Sequence, residues 1–301
     1  MLKVEGKIES FNLGEDFSNC NIVTKDNEKM NLKLTKEQAK ELKQEKVYVF
    51  NYEEVMVNDK LQNHLISFLE LFDYIEDPIL LKEKLSDYYE FSPLSTTEVK
   101  KDLEVYLNKI KNPILKKVTK VLYKKYEKGF YTYPAAVRFH HAYIGGLAYH
   151  TKTMLDIAEG LLNVYPFINR DLVYSGIILH DLCKVDELSG FEGGEYTKEG
   201  QLIGHLIMIS QELMMLAKEL GYEKTEEILV LNHILLSHHG LPNFGAAKKP
   251  LTAEALLVWY VDTIDSKFTV LGETLEKVEE GDFTENISVI EKSKFYKHKV
   301  K

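Results

Sequence analysis

The sequence predicts a multi-domain α and β protein, a small amino-terminal OB-like β-barrel followed by an all-α helical bundle. Three observations predict it. Apolar residues alternate with a period of two in several short runs before Asp73. After Asp73 they recur every three or four positions, the spacing of amphipathic helices. Successive helical segments then carry His150, His180, Asp181, His205, His238, His239 and Asp262. Residues 1–73 are read as the barrel, 74–130 as a lysine-rich helical connector, 131–280 as the bundle and 281–301 as a charged carboxy-terminal tail.

At 301 residues the chain is long enough for one large core and a smaller domain. A hydrophobic content of 45% and a charged content of 28% describe an ordinary soluble globular protein. The net charge of -9 argues against coating nucleic acid by bulk charge, while leaving room for a local basic patch. Cys20 and Cys183 form no CxxC pair and suit a reducing cytosol without a disulfide framework. Met1 to Gly6 lacks the apolar core of a signal peptide, and no apolar run approaches the roughly 20 residues of a membrane span. The expectation is a cytoplasmic protein with no membrane partner.

In the barrel segment, Val4-Glu5-Gly6-Lys7-Ile8 alternates and Asn21-Ile22-Val23-Thr24 follows. Asp26-Asn27 turns the chain into Met30-Asn31-Leu32-Lys33-Leu34. Lys36 to Lys43 reads as one short helix, Lys46 to Phe50 resumes the strand pattern, and Val55 to Gln62 reads as a further strand pair with its turn. Short strands with one helix interposed are the pattern of an OB barrel. Such barrels often hold single-stranded nucleic acid on aromatic rings. Tyr48, Phe50 and Tyr52 alternate along one strand and are candidates for that platform. The alternative is that they fill the barrel, and the segment is not basic.

In the helical part, Ser95-Thr96-Thr97-Glu98 is a capping-box signature, followed by Val99, Leu103, Tyr106, Leu107 and Ile110 at helical spacing. Pro113 suits the first turn of the next helix and Gly129 its end. Lysines gather between Lys100 and Lys128, and Lys116, Lys117, Lys120 and Lys124 are candidates for phosphate contact; a solvated helix face is the alternative. His141 to Tyr165, Asp171 to Lys184, Lys198 to Leu220, Glu223 to His239 and Leu251 to about Val278 each read as one helix, and Phe191 to Glu195 as a flexible loop near the site.

The run Ile177-Ile178-Leu179 delivers His180 and Asp181, and Lys184 follows one turn later. Burying such groups costs free energy unless something charged satisfies them, and a divalent metal is the usual partner. Imidazole and carboxylate together suit Mn, Fe, Zn, Ni or Co, whereas Mg and Ca prefer oxygen alone. No cysteine cluster is present for a structural zinc, and six or seven ligands exceed what one tetrahedral ion uses. Two ions sharing a carboxylate would use them.

His140-His141-Ala142-Tyr143-Ile144-Gly145-Gly146-Leu147-Ala148-Tyr149-His150, Leu179-His180-Asp181, Ser237-His238-His239-Gly240 and Val261-Asp262-Thr263-Ile264-Asp265 resemble the HD-domain metal-dependent phosphohydrolases. Among these the chain is most similar to the YhaM-type 3′-5′ exoribonucleases, which pair an OB domain with an HD domain. The resemblance implies that His150, His180, Asp181 and Asp262 hold a first metal. It implies that His205, His238 and His239 complete a second, with Asp181 bridging and Asp265 set behind the ligands. Cys183 stands where that family usually has glycine.

The resemblance further implies two divalent ions, Mn first with Fe, Co, Ni or Zn as alternatives. The implied reaction is hydrolysis of single-stranded RNA from its 3′ end to nucleoside 5′-monophosphates, with DNA as a second substrate. A homo-oligomer is compatible with the sequence. Asp181 and Lys184 are the candidate catalytic residues: Lys184 can bring positive charge to a phosphate, or sit as a surface cation near a helix end. His141 is a further candidate for substrate contact. Competing readings are an HD phosphohydrolase acting on free nucleotides or cyclic dinucleotides, and a nucleic-acid-binding protein with a vestigial site.

Overall fold

The computed structural model describes residues 1–14, 18–44, 46–58, 60–89, 91–136, 141, 143–190, 195–242 and 245–301. The chain divides into two units, Met1–Glu90 and Phe91–Lys301. Residues 191–194 of the expected flexible loop lie outside the described residues.

In the first unit, β1 (Leu2–Leu13), β2 (Ser18–Val23), β3 (Lys29–Leu34), β4 (Val47–Val57) and β5 (Lys60–Glu70) close into a barrel in the order β1-β2-β3-β5-β4. β3 and β5 close it in parallel, Leu32 against Asn63 and Lys33 against His64. Helix α1 (Lys36–Glu41) occupies the β3–β4 connection, held by reciprocal capping between Thr35 and Gln38. The β4–β5 hairpin turns at Asn58, whose φ of 50° is the left-handed conformation that short hairpins require and asparagine tolerates. This is the OB-like order of strands and helix that the alternation predicted.

Two of the three rings of the expected aromatic platform are inside the barrel. Phe50 is 0% exposed and Tyr48 4%. Both lie in the barrel core with Ile8, Cys20, Ile22, Leu32, Leu42 and Leu65, and Tyr52 is packed against that core. Alternate residues of a strand share a face, and in a closed barrel the face carrying Tyr48 and Phe50 points inward. The phenol of Tyr48 is satisfied there by the Lys43 N–H at 3.1 Å. The rings of Tyr48 and Phe50 fill the barrel, whereas Tyr52, beyond a register shift after Asn51, stays partly exposed.

Two short helices, α2 (Leu71–Tyr74) and α3 (Pro78–Leu85), complete the first unit. Asp77 caps α3, and the Lys84–Glu5 ion pair at 3.0 Å ties α3 to β1. The second unit begins with α4 (Thr96–Lys109) and α5 (Pro113–Phe130). The predicted capping box of Ser95 and Glu98 opens α4, and Asn112 with Pro113 opens α5. Neither is a free-standing connector. Apolar residues at helical spacing must be buried, so α4 packs on α6 (Gly146–Val164) and α7 (Arg170–Leu179), and α5 packs on α7. The stretch 74–130 is thus divided between the two units.

Three expected helices are shorter or interrupted. His141 and residues 143–145 are not helical, with φ of 51° at His141 and 77° at Gly145. The segment Asp171–Lys184 ends as a helix at Leu179, passes through a turn, and restarts as α8 (Lys184–Glu187). The segment Lys198–Leu220 is α9 (Lys198–Leu202) and α10 (His205–Leu220), separated at Gly204, whose φ of 78° no regular helix accepts. Helices α11 (Glu226–Ser237) and α12 (Ala253–Glu276) follow. The tail is more ordered than its composition suggests, with a 3₁₀ turn at Ser288–Ile290 and bridges Phe283–Tyr296 and Ile287–Ser293. A methyl group on Gly176 would lie 2.7 Å from Ile234, so glycine lets α7 and α11 approach. That approach sets the next feature, because each of these helices ends in a histidine.

Candidate metal centre

His180 and His238 occupy the C-cap positions of α7 and α11. Each turns its ring back so that Nδ1–H donates to the carbonyl three residues earlier, Ile177 at 2.7 Å and Leu235 at 2.8 Å. The carbonyls of a last helical turn lack helical partners, so one bond both caps the helix and fixes the ring. His205 Nδ1–H donates to Glu187 Oε2 at 2.9 Å, and His150 Nδ1–H to Asp265 Oδ2 at 2.6 Å. Carbonyl and carboxylate oxygens only accept, so in all four neutral rings the proton sits on Nδ1 and the lone pair on Nε2.

The four Nε2 atoms face the same carboxylates. Asp181 Oδ1 lies 3.2 Å from His205 Nε2 and 3.6 Å from His238 Nε2. Its Oδ2 lies 3.1 Å from His180 Nε2 and 3.9 Å from His150 Nε2, and Asp262 Oδ1 is 3.4 Å from His150 Nε2. The Nε2 atoms of His180, His205 and His238, and Asp181 Oδ1, are buried without a hydrogen bond of good geometry. Lone pairs confronting a carboxylate at such distances repel unless positive charge lies between them. Among the described residues three groups of potential ligand atoms, Asp181–His205–His238–His239, His150–His180–Asp262 and the hydrogen-bonded His141–His150–Asp265, each lie within 4.8 Å of one another. The donor set of imidazole and carboxylate, with its lone pairs inward, fits divalent metal, as the sequence led us to expect.

The electrostatics agree. Burial alone would raise Asp181, yet His180 and Lys184 hold it well below the usual carboxylate range. Burial likewise opposes the charge of Asp262, and His150 overrides it. Burial disfavours a charged His150, but Asp262 and Asp265 together raise it to about 9. Burial and the neighbouring His238 and His205 push His239 down to about 3, so its ring stays neutral. The carboxylates therefore demand cations, supplied by protons or by metal.

Lys184 is not a surface cation at a helix end. It opens α8 rather than closing α7, its side chain is 12% exposed, and Nζ donates to Asp181 Oδ2 and to Ala135 O, both at 2.6 Å. His141 is not exposed to a substrate either. Its ring is buried behind the cluster, Nε2 2.8 Å from Asp265 Oδ2 and Nδ1 2.7 Å from the Tyr143 hydroxyl. Asp265 thus stands between His141 and His150 and orients His150. Cys183 is buried at φ −75°, open to any L-residue, so a side chain at this position imposes no backbone strain. Burial also raises its thiol to about 12.

Glu187 was not foreseen. It follows an exposed acid, Asp186, in a four-residue helix too short to show a periodicity, so nothing local marks it as buried. Lys117, Lys120 and Lys124 lie on the exposed face of α5 and Lys116 at its margin. With Pro113, Val121 and Lys125 they line a groove. Lys116 and Lys120 reach Asn108 at 3.4 and 3.3 Å, and Lys124 pairs with Glu127.

The HD domain family model matches residues 147–267, the span from α6 to α12 that carries the cluster. The chain is 44% identical over 214 residues to the 3′-5′ exoribonuclease YhaM of Geobacillus sp., covering 71% of this chain and 66% of that protein. It is 41% identical over 213 residues to the protein of that name from Bacillus subtilis, covering 71% and 68%. For the Listeria innocua protein of that name the identity is 40% over 211 residues, covering 70% and 67%. The match spans about two thirds of the length of these relatives. An HD match laid over the helices that converge on Asp181, together with identity at this level, means that the chain belongs to the YhaM family of HD-domain 3′-5′ exoribonucleases.

Proposed function

We propose that this chain is a metal-dependent 3′-5′ exoribonuclease, hydrolysing the terminal phosphodiester of single-stranded RNA to release nucleoside 5′-monophosphates. The observation that carries it is the buried carboxylate of Asp181, with one oxygen toward His180 and the other toward His205 and His238. His150, His180, Asp181 and Asp262 would hold a first ion. His205, His238 and His239 would hold a second, with Asp181 shared. Mn suits this mixed donor set, with Fe, Co, Ni and Zn as alternatives. Bound ions supply polarised water and neutralise charge on the phosphate oxygens.

The protein's own groups do the rest. Lys184 neutralises Asp181 Oδ2 and keeps the carboxylate in one orientation between the two groups of histidines. Asp265 and the helix-end carbonyls keep the Nε2 lone pairs of His150, His180 and His238 inward. Water adds to phosphorus, the bond to the 3′-oxygen breaks, and the leaving oxygen takes a proton, so each cycle leaves a new 3′-hydroxyl. Lys116, Lys117, Lys120 and Lys124 guide the backbone, and DNA is a second substrate. Both cysteines are unpaired thiols, consistent with action in the cytoplasm, and among the described residues no helix is long and apolar enough to cross a membrane.

The test is to incubate the full chain with Mn, a 5′-labelled oligoribonucleotide and, separately, mononucleotides and cyclic dinucleotides. The proposal expects progressive shortening of the labelled strand with release of nucleoside 5′-monophosphates. Hydrolysis of the small nucleotides with an intact oligonucleotide would replace it with the alternative phosphohydrolase.

A further inference from the structure

Helix α10 starts without a cap of its own. Its N-cap is Gly204, which has no side chain to offer the first backbone N–H groups, and His205 is its first residue. The missing acceptor comes from Glu187, eighteen positions earlier: Oε1 accepts the His205 backbone N–H at 3.0 Å, while Oε2 accepts Nδ1–H of the same residue at 2.9 Å. One carboxylate therefore holds His205 by its main chain and its ring together.

Glu187 is itself locked in place. It is 7% exposed. Its carbonyl accepts the Thr197 backbone N–H at 2.9 Å, and Thr197 caps α9 through Gly200. A Cβ on Gly200 would lie 2.3 Å from the Glu187 carbonyl oxygen, so the α9 turn packs directly on that peptide.

We infer that Glu187 is a positioning residue for the second metal: by accepting Nδ1–H it fixes the His205 tautomer, and so decides whether an Nε2 lone pair faces Asp181. The inference rests on the two-ion reading above. His180 and His238 obtain the same tautomer from helix-end carbonyls, which no side-chain substitution removes. His205, the first residue of its helix, has no such carbonyl and depends on a replaceable side chain. A neutral amide at 187 can donate as well as accept. Donation to Nδ1 would move the ring proton to Nε2 and turn a ligand into a barrier. Groups that orient a metal-bound imidazole typically change metal affinity by about 10–100-fold.

The experiment uses the full chain with Glu187→Gln and Glu187→Asp. ¹⁵N-histidine NMR of metal-free protein reads the tautomer at His205 directly, and titration with Mn reads the affinity of each ion. Wild type should show Nδ1–H at His205. Glu187→Gln should show an increased Nε2–H population and weaken the second ion about 10–100-fold, with the first within twofold of wild type. Glu187→Asp, which keeps the charge at shorter reach, should recover part of that loss. Glu187→Gln with the wild-type tautomer and both affinities unchanged would overturn the inference, as would equal loss of both ions. If wild type takes up only one ion while the tautomer shifts as stated, the two-ion reading fails and the Glu187–His205 linkage stands.

Discussion

The barrel and the helical unit both bury polar side chains, but they do so to opposite ends. In the barrel, Tyr48 is sealed in the core and its hydroxyl is satisfied by Lys43. The amides of Asn12, Asn19, Asn21 and Asn31 bond to one another across strands β1–β3. His64 is the exception, with a buried Nε2 that makes no hydrogen bond, yet among the described residues no group of metal-ligating atoms includes it. In the helical unit, three imidazole nitrogens and a carboxylate oxygen are buried together and unsatisfied. Burial by itself separates nothing here. Several unsatisfied donor atoms aimed at one another distinguish a site from a core, because a folded chain sustains that arrangement only where a cation resolves it.

The contrast breaks most severely at Asp181. Asp181→Asn keeps the shape and removes the shared charge, and turnover should fall by roughly a thousandfold or more because both ions lose a ligand. Metal content by mass spectrometry should fall with it, and activity within tenfold of wild type would place the chemistry elsewhere. In the barrel the comparable lesion is one of packing. Phe50→Ala should cost about 3–5 kcal/mol by leaving a cavity, seen as an early denaturant transition of the first unit with Mn uptake unchanged. If Phe50→Ala instead weakened RNA binding without loss of stability, the ring would be a binding surface after all.

The sequence revealed the barrel's strands and the helices whose histidines and aspartates gather around Asp181, because alternation and helical spacing are local signals. It misled where a local rule met a tertiary one. An alternating aromatic triplet looks the same whether its face points into a closed barrel or out of it. Only strand order decides, and the parallel β3–β5 closure is a contact between distant segments. Uninterrupted apolar spacing across residues 171–184 and 198–220 concealed the breaks at His180 and Gly204. Those breaks put His180 and His205 at helix ends, where the ring of His180 turns onto the Ile177 carbonyl and that of His205 onto Glu187. Asp262 and Asp265, three apart, were separable only through the family resemblance. The structure sets Asp262 beside His150 Nε2 and Asp265 against its Nδ1.

Smaller effects sharpen the contrast. Replacing Lys116, Lys117, Lys120 and Lys124 together with glutamine should weaken RNA binding and flatten its dependence on log salt by about 0.7 per lost phosphate contact, with metal content unchanged. An unaltered salt slope would leave the α5 groove a solvated face. The smallest effect is on pH-dependent stability. His150 titrates at about 9 in the folded chain against an ordinary 6.5. In metal-free protein its stabilising protonation is therefore complete below pH 6.5 and lost as pH rises through about 9. Bound metal replaces that proton, so the rise in Tm on adding Mn should be larger at pH 9 than at pH 6.5. Equal increments would show that His150 is not a ligand.

The central claim is that the buried, inward-facing atoms around Asp181 form a centre for two ions. Anomalous diffraction from a crystal of the full chain grown with Mn tests it most directly. The account predicts two peaks about 3.5–4 Å apart, one among His150, His180 and Asp262, the other among His205, His238 and His239, with Asp181 between them. A single peak, or ions bound away from Asp181, would contradict it.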